Sequence, residues 1–443
     1  MYVITNGQIV TPDEVLSGYD LVIENEWIRS ISRSGSGEFA SRQAAAAILS
    51  GRGATAASSA DPGNAEIIDA AGAYVVPGLI DIHADYIEHM AAPRPTSVMD
   101  FGLSLRESER ELITHGVTTM YHSLAIYDFT EFMPSPIRSP EYTQKLISII
   151  DASHDSWHMI RHRFHARFEI DNLRRVDELR GYIRDGKVHL LSFMDHTPGQ
   201  GQYRDLETYR KTLKAYRNLS DEEVGRIVEQ SRNRQKLTAD AINELSRYAR
   251  DHGLAVASHD DDSIDKLDLV AGFGTTISEF PITLEVAREA RNRGMHTVAG
   301  APNILLGGSH SGNLSAAEAI LDGSVDVLCS DYYPASLLHA VFKMHRDHGL
   351  DLASMIALVT VNPARAVLMD SEIGSLAAEK RADVLIVREV DGYPSVTDAF
   401  VDGERVYSAR YRRTQAGGLP AGRRSSGRRG AHERAQGWAG GSP

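Results

Sequence analysis

Apolar and polar residues alternate in short runs at both ends of the chain. In the middle, compact apolar runs are separated by stretches with helical periodicity. Strand-type alternation marks Tyr2-Val3-Ile4, Gln8-Ile9-Val10, Asp20-Leu21-Val22-Ile23 and Trp27-Ile28, with a turn expected at Asn6-Gly7 between the first two. It resumes at Glu66-Ile67-Ile68-Asp69, and again at 382–387 and 399–406. This pattern predicts that the two ends pair into one small β-sandwich. Between them, strand candidates fall at 79–83, 117–121, 164–169, 188–194, 254–258, 275–280, 296–299 and 325–330. Helical segments at 104–114, 141–151, 221–250, 284–293, 314–321 and 352–359 are interspersed with them. Eight strands in such alternation predict an α/β fold, a (β/α)8 TIM-like barrel.

The expected organisation is therefore residues 1–74 and 369–410 as the two parts of the sandwich, with 75–368 as the barrel. Residues 33–65 are rich in Ala, Ser and Gly without a period, and are expected to be a flexible insertion. From residue 411 to 443, arginines lie among Gly, Ser and Ala, the composition of a disordered tail.

The net charge of −13 sets the whole surface against nucleic acid, so a polyanionic substrate would need a local basic pocket. The only cysteine is Cys329, which excludes a disulfide framework and points to a reducing cytosol. The N-terminus reads as strand and turn rather than signal peptide, and no apolar run approaches membrane-spanning length. Cytoplasmic localisation, with no nucleic-acid or membrane partner, is the expectation.

The candidate chemistry lies at the strand ends, where barrels of this kind place it. The first strand ends in His83 and Asp85, two apart and so expected on one face. The third ends in Glu169, the fourth in Asp195-His196, the fifth in His259 and the eighth in Asp331. Imidazoles and carboxylates are ligands for zinc, manganese or iron(II). Any one of these residues alone is more simply a satisfied polar group; five strand ends together favour a metal site. A second constellation suits anions. Gly300-Ala301-Pro302-Asn303 leads into Gly307-Gly308-Ser309-His310-Ser311-Gly312-Asn313, after strand seven and before a helix expected from Leu314. Small residues there let backbone amides approach phosphate oxygens. Arg94, held between Pro93 and Pro95, adds a guanidinium suited to phosphate.

On these residues the chain resembles the amidohydrolase superfamily, and within it the PhnM family of phosphonate metabolism. The resemblance rests on His83-Ala84-Asp85, Ala92-Pro93-Arg94-Pro95, Phe193-Met194-Asp195-His196-Thr197-Pro198-Gly199-Gln200 and Ala257-Ser258-His259-Asp260-Asp261. It also rests on the Gly300–Asn313 stretch and on Ser330-Asp331-Tyr332-Tyr333-Pro334-Ala335-Ser336. It implies metal-assisted hydrolysis of α-D-ribose 1-methylphosphonate 5-triphosphate to the 5-phosphate and diphosphate, upstream of carbon–phosphorus lyase. One or two divalent metal ions, zinc or manganese, are implied at His83, Asp85, Glu169, His196, His259 and Asp331. Asp331 would also be the base. Arg94, Ser309, His310, Ser311 and Asn313 would hold the triphosphate, with magnesium carried by the substrate. Asp85 stands where the superfamily commonly has a second histidine, which leaves metal number and identity open. A homo-oligomer is compatible with the sequence. Two other readings stay open: an amidohydrolase acting on a cyclic amide or N-acyl substrate, and a non-catalytic scaffold on the same fold.

Overall fold

The computed structural model describes residues 1–35, 65–94, 96–127, 136–201, 205–216, 219–308 and 313–412. Most of the 33–65 insertion and of the 411–443 tail therefore lies outside the described residues. The first strands are β1 (Tyr2–Val10), β2 (Val15–Glu24), β3 (Trp27–Arg33), β4 (Glu66–Asp69) and β5 (Tyr74–Pro77). Next come β6 (Leu79–Ala84), β7 (Val117–Ile126), β8 (Arg161–Glu169), β9 (Leu190–Met194), β10 (Ala255–His259), β11 (Ile277–Glu279), β12 (His296–Gly300) and β13 (Val327–Cys329). The last three are β14 (Val384–Val390), β15 (Tyr393–Val401) and β16 (Glu404–Ser408).

Strands β6 to β13 pair in sequence order and in parallel, as eight successive strand–helix units dictate. The ring closes through a bridge between Ala84 and Asp331. There the Asp331 amide donates to the His83 carbonyl and the Asp85 amide to the Asp331 carbonyl, both at 3.1 Å. Ile80, Ile82, Tyr121, Ala257, Ile277, Val298, Val327 and Cys329 fill the barrel interior. Helices surround it, many started by a side-chain cap: Asp100 for Phe101–Thr114, Ser139 for Pro140–Ala152 and Ser263 for Ile264–Gly272. None of the described helices is long and apolar enough to cross a membrane.

The remaining strands form a second, mainly antiparallel sheet in the order β16-β15-β14-β5-β1-β2-β3, with β4 also on β1. Both chain ends thus build it, as expected from the sequence. The sheet folds over a core containing Ile4, Ile23, Ile28, Val75, Ile386 and Phe400, and a bridge between Trp27 and Arg381 joins its two wings.

Two local expectations are corrected. Asn6-Gly7 is not a hairpin turn. β1 runs straight through it, with a bulge where Asn6 takes φ 54° and its side chain bonds Asp69 at 3.1 Å. A Cβ on Gly7 would lie 2.6 Å from Val75 Cγ2, so glycine is required by close strand approach rather than by a turn. The 221–250 helix is two, Asp221–Arg232 and Ala239–Asp251, the second capped by Thr238. The break lets the Leu237 amide bond the Ile170 carbonyl at 2.8 Å and Lys236 reach Asp195, also at 2.8 Å.

Candidate active site

Strand alternation decides which side chains enter the barrel mouth. On β8 the odd positions His165, Arg167 and Glu169 carry the polar groups of the mouth, whereas Phe164, Ala166 and Phe168 pack in the surrounding layer. On β10 and β11 the same rule brings His259 and Glu279 inward. β6 departs from it: its pairing with β7 is irregular between Asp81 and Ala84. Ile80 and Ile82 therefore join the interior core, yet His83 also reaches the mouth.

One donor atom from each of His83, His259 and Glu279 falls within 4.8 Å of the others, and all three residues are buried. His83 Nδ1 lies 2.8 Å from Glu279 Oε1, and His165 Nε2 is 3.7 Å from the same oxygen. The second oxygen, Glu279 Oε2, is buried with no hydrogen-bond partner among the described residues. Burial, with Arg167 and His259 nearby, pushes the His83 imidazole well below its ordinary range, so it is neutral and can offer a lone pair. An orphaned buried carboxylate oxygen beside neutral imidazoles fits a divalent cation. In a second group, His196, His259 and Asp260, one donor atom from each likewise lies within 4.8 Å of the others. His259 Nδ1 is 3.0 Å from Asp260 Oδ2 but out of hydrogen-bond alignment. His196 bonds Glu169; burial opposes its charged form, but Glu169 and Asp260 more than offset this and raise its pKa.

Asp331 follows β13, half-buried and at φ 59°, with its Oδ2 facing Gly300. Burial first, then the charges of Asp85, Asp81 and Asp260, push its carboxyl up to about 7, against the opposing Arg167. Behind it, Asp81 accepts from the Ser330 amide at 3.2 Å and from the Ser330 hydroxyl, fixing the strand end.

Of the residues expected from sequence, His83, Glu169, His196, His259 and Asp331 therefore come together in the mouth. Asp85 stands at its rim in neither group. Its carboxylate is 3.1 Å from Arg138 Nη2, and the Nε of the same guanidinium donates to Glu88 at 2.6 Å. The β6 irregularity removes the shared face that simple alternation would give His83 and Asp85. Asp195 pairs with Lys236 instead of facing a metal group. Arg94 is exposed in the segment after helix Tyr86–Ala91. Ser309, His310 and Ser311 lie outside the described residues, and Asn313 is half-buried at the end of that stretch. The following helix starts at Ala316, not Leu314, because the Leu314 amide is drawn to the Ile282 carbonyl at 3.0 Å.

His165, Asp260, Glu279 and Arg167 of the mouth were not among the candidates read from the sequence. Glu279 was detectable as an acid ending the sixth expected strand, the same signal that marked Glu169. Arg167 was visible two residues before Glu169, on the same strand face. Its Nη2 sits 3.3 Å from His259 Nε2, and its Nε has no hydrogen-bond partner among the described residues.

The amidohydrolase family profile matches residues 74–406. Over 409 residues the chain is 30% identical to α-D-ribose 1-methylphosphonate 5-triphosphate diphosphatase of Escherichia coli K12, covering 91% of this chain and all of that protein. A shorter match, 33% identical over 92 residues, is to dihydroorotase of Methanopyrus kandleri and spans 17% of this chain and 21% of that protein. Among solved structures, dihydropyrimidinase from Brevibacillus agri superimposes with a TM-score of 0.59 at 14% identity, over 92% of this chain and 95% of that one. A barrel closed at Asp331, histidines and acids converging in its mouth, and a sheet built from both chain ends agree with these matches: the chain is a hydrolase and belongs to the amidohydrolase family.

Proposed function

We propose that the protein hydrolyses α-D-ribose 1-methylphosphonate 5-triphosphate to the 5-phosphate and diphosphate. The observation that carries this is the end-to-end similarity to the E. coli diphosphatase, whose whole length the chain covers. The mouth supports it: a half-buried carboxylate placed to act as base, a cation aimed among the histidines and a donor set for a divalent metal.

His83, His259 and Glu279 would hold one ion, zinc or manganese by their donor chemistry, and His196 with Asp260 would complete a second position around His259. When bound, such an ion supplies Lewis-acid polarisation of a phosphoryl oxygen. The chain's own residues do the rest. Asp331 accepts the proton of the attacking water. Arg167 neutralises charge that develops on the phosphoryl oxygens. Glu169 keeps His196 oriented, and Arg138 holds Asp85 at the rim. Arg94, Ser309, His310, Ser311 and Asn313 would grip the outer phosphates, with magnesium carried on the triphosphate. Water adds across the anhydride next to the sugar phosphate, and the leaving group departs as diphosphate.

Phosphorus NMR of the metal-loaded enzyme with the ribose methylphosphonate triphosphate should show 5-phosphate and diphosphate appearing together. Orthophosphate as the first product would reject the proposed bond. No turnover, together with release of a carboxylate from a cyclic amide, would move the protein to the amide-hydrolysing branch of the family.

A further inference from the structure

Away from the barrel mouth, a second set of metal-competent side chains, Glu109 and His162 buried and His158 half-buried, lies between the strands and the outer helices. Glu109 lies on the inner face of helix Phe101–Thr114, among Leu105, Leu112 and Ile113. His162 is at the start of β8, on the face opposite His165 and Arg167. His158 comes from the segment leading into that strand. One donor atom from each falls within 4.8 Å of the others. Glu109 Oε2 is 2.9 Å from His158 Nδ1 and 3.3 Å from His162 Nε2. Two ligands on one tetrahedral zinc, each about 2.0–2.1 Å from it, stand roughly 3.3 Å apart. The observed spacing therefore needs only small adjustment.

We propose that Glu109, His158 and His162 form a structural zinc-class site, distinct from the mouth, that pins helix Phe101–Thr114 and the 153–160 segment to β8. The Met159 amide also donates to Glu109 Oε2 at 2.9 Å and holds that oxygen towards the two imidazoles.

The remaining ring nitrogens also fit. A zinc ligand at His162 Nε2 carries its proton on Nδ1, and that atom already has His122 Nε2 at 2.9 Å. A ligand at His158 Nδ1 carries its proton on Nε2, which has Ser156 Oγ at 3.1 Å. Such partners orient metal-bound imidazoles. Three protein ligands leave the fourth position to water. Arg106 reaches the other oxygen, Glu109 Oε1, at 3.4 Å, which leaves Oε2 as the oxygen that faces the two imidazoles. The competing account is a hydrogen-bonded ionic core without metal, in which both imidazoles simply donate to Glu109.

The test uses full-length His259→Ala protein, which lacks the residue common to both mouth groups. After exhaustive dialysis against zinc-free buffer, it should retain one zinc per chain, and added zinc should raise the melting temperature of its stripped form. Adding His158→Gln should bring zinc to zero and abolish the shift; Glu109→Gln serves in its place if that variant does not fold. Cobalt-loaded His259→Ala gives a reading that needs no substitution in the cluster. An intense four-coordinate visible band supports the site. A weak six-coordinate band, or a His259→Ala protein without retained zinc, or zinc content unchanged by His158→Gln, leaves only the hydrogen-bonded core and overturns the proposal.

Discussion

Asp331 holds a left-handed backbone conformation, at φ 59°, in which few side chains other than Asn and Asp rest comfortably. Replacement by Asn therefore keeps the backbone while removing the ability to take a proton. Asp331→Asn should fold with an unchanged circular dichroism spectrum and lose at least about 10²-fold in kcat, the low end of general acid–base contributions. The wild-type carboxyl is pushed up to about 7, and a base works only when deprotonated. Activity should therefore rise as pH increases and then level off. A cation in the mouth opposes the effect of burial, which puts the midpoint at or below about pH 7. The variant should lack this acidic limb; a pH–rate profile of the same shape in both proteins would assign proton removal elsewhere. At this scale, His83, His259 and Asp331 were legible because each ends an apolar run. The partner of Asp85 was not, since Arg138 lies 53 residues along the chain and only the fold brings the two together.

At the scale of elements, all eight barrel strands were legible from apolar runs bounded by turn-type residues. The failures have tertiary causes. Asn6-Gly7 carries a strong hairpin signal, yet β1 has partners on both sides there: β4 and then β5 on one, β2 on the other. That pairing outweighs local turn preference. Residues 233–238 have helix-compatible composition, but Lys236 and Leu237 are recruited by Asp195 and Ile170. The 13-residue helix Ser336–His348 went unassigned because it starts at once after the Asp331 turn, without a side-chain cap. A Cβ on Gly78 would meet Thr118 Oγ1 at 2.1 Å where β5 gives way to β6. Gly78→Ala should therefore destabilise the fold by about 1–3 kcal/mol, as overpacking does. Urea unfolding would measure it, and an unchanged midpoint would show that β7 yields freely at Thr118.

For the whole molecule, the terminal sheet and the barrel share a hydrophobic cluster and, beside it, a largely buried ionic node. Arg161, at the first residue of β8, bonds Asp383 through Nη2 at 3.0 Å and also contacts Asp402. The Asp383 carbonyl in turn accepts from the Gly78 amide at 2.9 Å, at the crossing between the two sheets. Removing one partner strands a buried charge, which costs about 3–5 kcal/mol. Arg161→Met preserves much of the side-chain volume and isolates that electrostatic loss. It should lower the urea midpoint accordingly without changing the slope. A drop below about 1 kcal/mol, the range of exposed pairs, would mean that water reaches the node. Nothing in local sequence pattern announces this coupling, because Arg161 and Asp383 are 222 residues apart.

The barrel's closing bridge has a consequence for how such an enzyme can change. The residue proposed for proton removal is also the last stitch of the ring, its amide on His83 and its carbonyl on Asp85. On that proposal, chemistry and closure share a single backbone position. Variation aimed at new substrates has room in the loops of the mouth away from His196, His259 and Glu279, where a substitution alters a pocket wall. At the stitch, the same substitution would loosen the vessel itself. Evolution on this scaffold is expected to explore the rim and leave the seam alone.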